Sequence, residues 1–162
     1  MVTQVPADTQ LTALGGESRP ISEWTTTFQL LTVVLDPYTN ESGWLFETSL
    51  RVLRNFRGAD VRTAFTICAD EADTKRFMGE IAHEFLTFAD PKRELVGALG
   101  LEHLPALAYI RQDLAVVGTA EGWDPKEWED LCRLVGKVNS WSHPDLPGPK
   151  DPGPFAGSPA KG

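Results

Sequence analysis

The two cysteines are the residues of this chain with the clearest capacity for chemistry. Cys68 and Cys132 lie 64 positions apart, so they form neither a Cys-X-X-Cys pair nor a cluster with local metal-ligand spacing. Cys68 lies in an apolar run, and Cys132 shares a helical face with Trp128, Leu131 and Val135. Because apolar burial raises the pKa of a thiol, we interpret both cysteines as core residues rather than nucleophiles.

The other reactive residue types are scattered along the chain. His83, His103 and His143 have no second ligand at helical spacing except the acids beside His83, so we expect surface histidines, with no metal site and no cofactor. Ser42, His103 and Asp36 could form a catalytic triad if their loops are neighbours. No nucleophile-elbow sequence surrounds Ser42, however, and a helix N-cap is the favoured interpretation of that serine. No glycine-rich loop follows a strand in the pattern of a nucleotide site.

The charge balance argues against polyanionic partners. Fifteen Lys and Arg against 23 Asp and Glu give a formal net charge of −8, which repels nucleic acid and anionic lipid at long range. No apolar run approaches the ~18 residues that cross a bilayer, and the first residues lack the layout of a secretory signal. We therefore expect a cytoplasmic protein that binds neither nucleic acid nor membrane. A length of 162 residues, 41% of them hydrophobic, suits one domain.

Strand and helix patterns alternate through the middle of the chain. Residues 28–35 (FQLLTVVL) are apolar on both faces, which is typical of a central strand buried between helices. Residues 46–56 place apolar side chains at helical spacing, and Arg51, Arg54 and Arg57 point elsewhere, to solvent or to an acidic partner. The remaining predicted elements are a strand at 61–69, a helix capped by Asp70, a strand at 86–88, a helix from Asp90-Pro91 to about Leu99, a hairpin of 106–110 with 114–121, and a helix from Asp124-Pro125.

The two ends of the chain differ from this middle part. Residues 1–23 are polar and rich in turn formers, and we predict an N-terminal arm. Residues 139–162 hold six of the twelve prolines and four glycines, with too few apolar groups to offset the entropy of ordering. We predict a Pro/Gly-rich C-terminal tail that is extended or disordered, or that uses its few apolar residues to lie over the domain or bind another protein. The domain proper is predicted at 24–138.

This order of elements, with a proline before the penultimate strand and a helix after the last, resembles the thioredoxin-like fold. The segment FADPKRELVGALGLEHLPALAYIRQDLAVVGTAEGW is similar to the second half of the peroxiredoxin and TlpA-type redoxins. The resemblance covers roughly residues 28–138 and implies a three-layer α/β/α sandwich with a central mixed sheet. It also implies a cis peptide bond at Leu104-Pro105, where the bent chain exposes backbone groups for pairing with an extended peptide.

The same resemblance shows what is missing. Aligning LTVVLDPYTNESGW with the redoxin strand-to-helix turn places Asn40-Glu41-Ser42-Gly43 where Cys-X-X-Cys would lie. Dithiol exchange needs a thiolate at a helix N-terminus and a resolving thiol one turn away, and this turn supplies neither. The expected interaction surface consists of Tyr38, Asn40, Glu41, Ser42, Gly43, Trp44, Leu104 and Pro105.

Three hypotheses about function follow from these residues. The leading one is a non-catalytic thioredoxin-like module that binds a protein or peptide partner through this surface. Trp44 and Trp123, at the ends of elements, are either part of the recognition surface or a cover for the core edge. The alternatives are a divergent thiol-dependent redoxin, a disulfide reductase or peroxiredoxin-like enzyme that uses Cys68 or a partner's thiols, and a structural subunit of a larger complex.

Overall fold

Two β-α units and a hairpin form the centre of the fold, in the chain order that the sequence predicts. The computed structural model describes residues 2–162. Its strands are β1 (Gln10–Ala13), β2 (Ser18–Pro20), β3 (Gln29–Leu35), β4 (Val61–Ile67), β5 (Leu86–Ala89), β6 (His103–Leu104), β7 (Ala106–Ile110), β8 (Val116–Glu121) and β9 (Ser158–Pro159). Its α-helices are α1 (Ile21–Trp24), α2 (Asn40–Trp44), α3 (Phe46–Asn55), α4 (Glu71–Met78), α5 (Glu94–Leu99) and α6 (Pro125–Asn139), and a 3-10 helix covers Gly79–His83.

The main sheet has seven strands in the order β2-β1-β5-β4-β3-β7-β8. Strand β3 pairs in parallel with β4, and β4 in parallel with β5. The hairpin of β7 and β8 adds antiparallel strands next to β3, and β1 adds another at β5. The sheet is therefore mixed, as predicted.

Helices cover both faces of this sheet. Leu31, Val33 and Leu35 of β3 pack into one apolar cluster with α3, α4 and α6. Leu30 and Val34 point to the opposite face and pack with α1 and α5. This alternation is the period of two that places successive side chains on opposite faces of a strand. The three-layer α/β/α sandwich is confirmed.

Side-chain caps fix where three helices begin. Asp124 accepts a hydrogen bond from the Lys126 amide at 3.1 Å ahead of α6, and Asp70 accepts one from Asp73 at 2.8 Å ahead of α4. The predicted helix start at Asp90-Pro91 is wrong, because α5 begins only at Glu94. The Asp90 carboxylate still caps it by reaching the amides of residues 94 and 95 at 2.8 and 3.0 Å. Within residues 2–162 no helix is long and apolar enough to cross a membrane.

The N-terminal residues form part of the sheet rather than a separate arm. Thr12 and Ala13 of β1 pair with Ala89 and Phe88 of β5. Leu11 is buried, and the short helix α1 buries Ile21 beside it in the second cluster. Backbone pairing and the burial of these few apolar side chains together hold the segment on the domain.

The C-terminal residues are ordered along the domain surface. Trp141 donates its indole N–H to the Asn55 carbonyl at 2.6 Å, and Leu146 is buried in the first cluster. Asp151 accepts from the Thr48 hydroxyl at 2.7 Å and forms an ion pair with Arg51. Of the predicted alternatives, the segment that lies over the domain is the one observed. The tail is ordered with few apolar side chains because its backbone groups and the buried Asp151 carboxylate supply the other contacts.

Candidate functional site

The turn after β3 is organised around the backbone and carboxylate of Asp36. The Thr39 hydroxyl donates to the Asp36 carbonyl at 3.0 Å, and the Asp36 amide donates to Ser42 Oγ at 2.9 Å. The Tyr38 amide donates to the Asp36 carboxylate at 2.9 Å. The two hydroxyl side chains are thus turned toward the main chain at the end of the strand. These three hydrogen bonds, all made to or from Asp36, stabilise the conformation of the turn.

Two hydroxyl residues stand at the N-terminus of α2, where thiol–disulfide exchange would need a thiolate and a second thiol one turn later. Thr39 is the N-cap of α2, and Ser42 lies three residues further on, fully buried. This pair lies one residue before Asn40 and Gly43, the pair that the sequence alignment singled out. Neither pair contains a thiol. Serine and threonine hydroxyls do not undergo thiol–disulfide exchange, which requires a thiolate.

A buried ion pair joins this turn to the start of α5. The Asp36 carboxylate lies 2.7 Å from Arg93 Nη2, and the two side chains are 4% and 19% exposed. The other terminal nitrogen of Arg93 donates to the Ala160 carbonyl at 2.6 Å. One guanidinium therefore binds both the turn and the C-terminal tail.

Both cysteines are buried and poorly suited to nucleophilic chemistry. Cys68 directly follows β4, is 3% exposed and has its pKa raised to about 12 by burial, although the nearby Arg93 acts in the opposite direction. Burial likewise raises the pKa of Cys132 to about 12 on the inner face of α6. Their interpretation as core residues agrees with this placement.

The backbone beside Pro105 forms the second part of the site. The Leu104-Pro105 peptide bond is cis, as predicted. The preceding strand β6 is already paired, because Leu104 lies opposite Ser158 and His103 opposite Pro159 in an antiparallel ladder. Leu104, which packs in the second cluster, and Pro105 are both buried. The edge that we expected to be open is covered by the chain's own tail.

Two exposed aromatic side chains lie just before α2, at Tyr38, and at its end, at Trp44. Tyr38 is 66% exposed and donates its hydroxyl hydrogen to Asp73, which raises the pKa of Tyr38 to about 12. Trp44 is 58% exposed and meets Phe155 of the tail edge to face, with ring centroids 5.6 Å apart. Of the other expected surface residues, Asn40 and Gly43 are exposed, Glu41 is half-buried and Ser42 is buried.

Comparison with known proteins adds structural relatives at low sequence identity. No family model and no curated protein matches the chain. A protein designated thiol:disulfide interchange protein DsbE, from Chlorobium tepidum, superposes with a TM-score of 0.68 at 16% identity, over 85% of this chain and 97% of its own. The bacterioferritin comigratory protein of Xanthomonas campestris, described for alkyl peroxide reduction, gives 0.66 at 14% identity, over 85% and 97%. The protein has a thioredoxin-like fold.

One further structural relative extends the match to nearly the whole chain. A hypothetical protein from Sinorhizobium meliloti superposes with a TM-score of 0.65 at 14% identity, over 99% of this chain and 94% of its own. At these identities the comparisons describe the fold and leave the chemistry to the residues present.

Several residue groups that the sequence suggested as sites do not form such sites in this thioredoxin-like fold. The Asp36 carboxylate faces Arg93 rather than His103, whose side chain is exposed, so no triad forms with Ser42. Trp123 is 1% exposed and covers the core edge. The predicted arginine stripe is paired within the chain: Arg51 with Asp151, and Arg54 and Arg57 with Glu84.

Sequence reasoning missed three contributors to the site. Asp36 appeared only as a possible triad member, and Arg93 was not singled out at all. Their ion pair spans 57 residues, and no local spacing signals such a contact. The third contributor is the tail segment 155–160, which lies in the Pro/Gly-rich tail and contains no motif that marks it as part of a site.

Proposed function

We propose that this thioredoxin-like protein is a non-catalytic binding module that holds an extended protein segment along β6, beside Pro105. The observation that carries the proposal is that β6 holds such a segment in the structure, as the antiparallel pair with Ser158–Pro159. Strand addition of this kind obtains affinity from main-chain hydrogen bonds and specificity from neighbouring side-chain pockets.

The residues in the turn support a loss of redox chemistry. Two of the structural relatives carry names that refer to thiol–disulfide interchange and to alkyl peroxide reduction. In this chain Thr39 and Ser42 stand at the N-cap and one turn further on, and the two cysteines lie in the apolar core. A divergent thiol enzyme would need Cys68 or Cys132 to leave the core.

The exposed aromatic residues of the turn support a binding role. Tyr38 and Trp44 are two of the largest exposed apolar side chains in residues 2–162, and they lie only six positions apart, in the turn and at the end of α2. Aromatic side chains offer a large contact area with few rotatable bonds, and they are enriched at interaction hot spots. The partner is expected to be a protein, because the net charge of −8 disfavours nucleic acid and anionic membranes.

Photo-crosslinking tests whether this surface meets a protein partner. We would replace Tyr38 by a photoreactive phenylalanine analogue and irradiate cells that produce the full-length protein. Phe28 offers a matched control, because it is also aromatic and 37% exposed but precedes β3 at the opposite end of that strand from the Asp36 turn. The same photoreactive residue at position 28 keeps the crosslinking chemistry and differs only in the part of the protein surface from which it reacts.

The proposal predicts a discrete crosslinked product from position 38 and none of the same mass from position 28. Replacing Trp44 by alanine in the Tyr38 variant should reduce the yield of that product severalfold, since the partner loses part of its contact area. Equal products from both positions, or none from position 38, would contradict a binding role for the turn.

A further inference from the structure

The tail segment Phe155–Ala160 makes the contacts of a bound peptide on its own domain. Ser158–Pro159 pairs with His103–Leu104 as β9 on β6, and the Ala160 amide donates to the Glu102 carbonyl at 2.9 Å. The Ser158 hydroxyl also donates to the Leu104 carbonyl, at 3.3 Å. Ser158 and Ala160 are buried by these contacts. The segment is recognised mostly through its backbone.

An aromatic subsite receives the start of this segment. The Phe155 ring packs against Trp44, and its backbone exchanges two hydrogen bonds with Trp123, at 2.8 and 3.0 Å. The indole N–H of Trp123 donates to the Pro152 carbonyl at 2.8 Å, just before the segment. The subsite therefore fixes both the direction of the chain and the position of one aromatic ring.

The next subsite accepts only glycine. Gly157 has φ +91°, and a Cβ there would lie 2.5 Å from the Leu104 carbonyl oxygen and 3.1 Å from the Gly122 Cα. Gly122 itself has φ +65°, and its Cβ would lie 2.3 Å from the Ala156 carbonyl oxygen. Both main chains approach each other more closely than any side chain allows. The two glycines set the spacing between segment and domain.

The far end of the segment is bound by the guanidinium that also holds the turn. Arg93 donates to the Ala160 carbonyl and forms an ion pair with Asp36. An extended segment on β6 thus contacts the turn at both ends, through Trp44 and through Arg93.

We propose that residues 155–160 are a resident ligand of this surface, and that a partner protein displaces them with an extended segment of the same pattern. That pattern is an aromatic residue, one small residue, glycine, and then small residues. The inference rests on the proposed function and names the chemistry of the partner's segment.

The structure of the tail allows this exchange without removal of the whole tail. Upstream of the segment, Asp151 is 6% exposed at its side chain and is held by Thr48 and Arg51. The segment itself contributes a strand of two residues and an isolated bridge at Phe155. Short pairings with few buried apolar contacts open at low free energy. Residues 155–160 can therefore leave while the anchor at Asp151 remains.

Peptide binding to a full-length Gly157→Ala variant tests the inference. The added methyl group displaces the segment, so the Trp123 and Ala160 amides should exchange with solvent roughly tenfold faster or more. A fluorescent synthetic peptide of residues 154–162, which omits the anchored Asp151, should then bind the variant about tenfold more tightly than wild type. Gly153→Ala is the matched control, because a Cβ at Gly153 meets nothing within 4 Å. It should behave as wild type.

The outcomes separate this inference from the proposed function. The inference is supported if the wild-type peptide binds the Gly157→Ala variant tightly and the same peptide with alanine in place of Gly157 does not bind. A Phe155→Ala variant provides the same test if Gly157→Ala fails to fold. Faster amide exchange without peptide binding would overturn it, while a crosslink at Tyr38 would still support the proposed function. Loss of both results would overturn both. A wild-type dimer that exchanges its tails would overturn the assignment of the segment to its own chain.

Discussion

In the native protein, Cys68 and Cys132 are expected to react with iodoacetamide about a thousandfold more slowly than in the unfolded chain at the same pH. Burial raises the pKa of each thiol from its ordinary value of 9.0 to about 12. At a given pH below 9, raising the pKa from 9.0 to about 12 lowers the thiolate fraction about a thousandfold. The thiolate is the form that attacks the reagent. Steric exclusion from the apolar core lowers the rates further.

Labelling between about pH 5 and pH 9, followed by mass spectrometry, measures these rates for each cysteine. The urea-unfolded protein serves as the control and should be labelled at both positions. The raised pKa means that the native rate should keep rising with pH throughout this range and show no plateau. A plateau below neutral pH at Cys68 would reveal a stabilised thiolate beside Arg93 and contradict the assignment of Cys68 to the core.

Replacing Asp36 by alanine is expected to destabilise the protein by about 2–4 kcal/mol. The substitution removes the acceptor of the Tyr38 amide and leaves the Arg93 guanidinium, 19% exposed, without its carboxylate. Removing one partner of a largely buried ion pair leaves an uncompensated charge, which costs more than the pair contributes to stability when intact. Urea unfolding monitored by tryptophan fluorescence gives the free energy of unfolding.

Asp130→Ala is the matched control for this change. Asp130 pairs with Lys126 on the outside of α6, with side-chain exposures of 59% and 83%. Solvent-exposed pairs of this kind contribute about 0–1 kcal/mol, so the control should unfold nearly as wild type does. Equal stability losses in the two variants would contradict a special role for the Asp36–Arg93 pair.

The sequence predicted the central elements because their local signals agree with their tertiary environment. Strand β3 is apolar on both faces and is covered by helices on both. Helix α6 combines an aspartate cap, a proline in the first turn and one apolar face. Where local and long-range preferences agree in this way, a single sequence is informative.

Elements held by long-range contacts escaped the sequence analysis. Strand β1 contains four residues and β9 contains two. β1 reaches the main sheet through β5, and β9 pairs with β6, so both pairings join distant parts of the chain. Helix α5 is capped by a carboxylate four residues before its start rather than by the residue next to it. Such contacts leave no periodic pattern. The predicted boundaries at residues 23 and 139 describe composition, and both flanking segments contact the domain.

The candidate site was located correctly in the chain only in part. The cis bond at Leu104-Pro105 followed from the resemblance to redoxins and is present. The hydroxyl pair depends on where α2 begins, and a sequence locates the ends of a helix less well than the helix itself. The tail can cover β6 because Gly157 lets its main chain approach Leu104 and Gly122 closely. No composition argument reveals that contact.

Turnover assays on the native protein test the central claim most directly, namely that this thioredoxin-like surface binds without redox chemistry. The full-length protein would be assayed for dithiothreitol-driven disulfide reduction and for peroxide consumption, with an active dithiol redoxin in parallel. We expect rates equal to the buffer background, both before and after treatment of the protein with iodoacetamide. Turnover above background that disappears on alkylation, or in a Cys68→Ala variant, would show instead that the protein is a thiol enzyme.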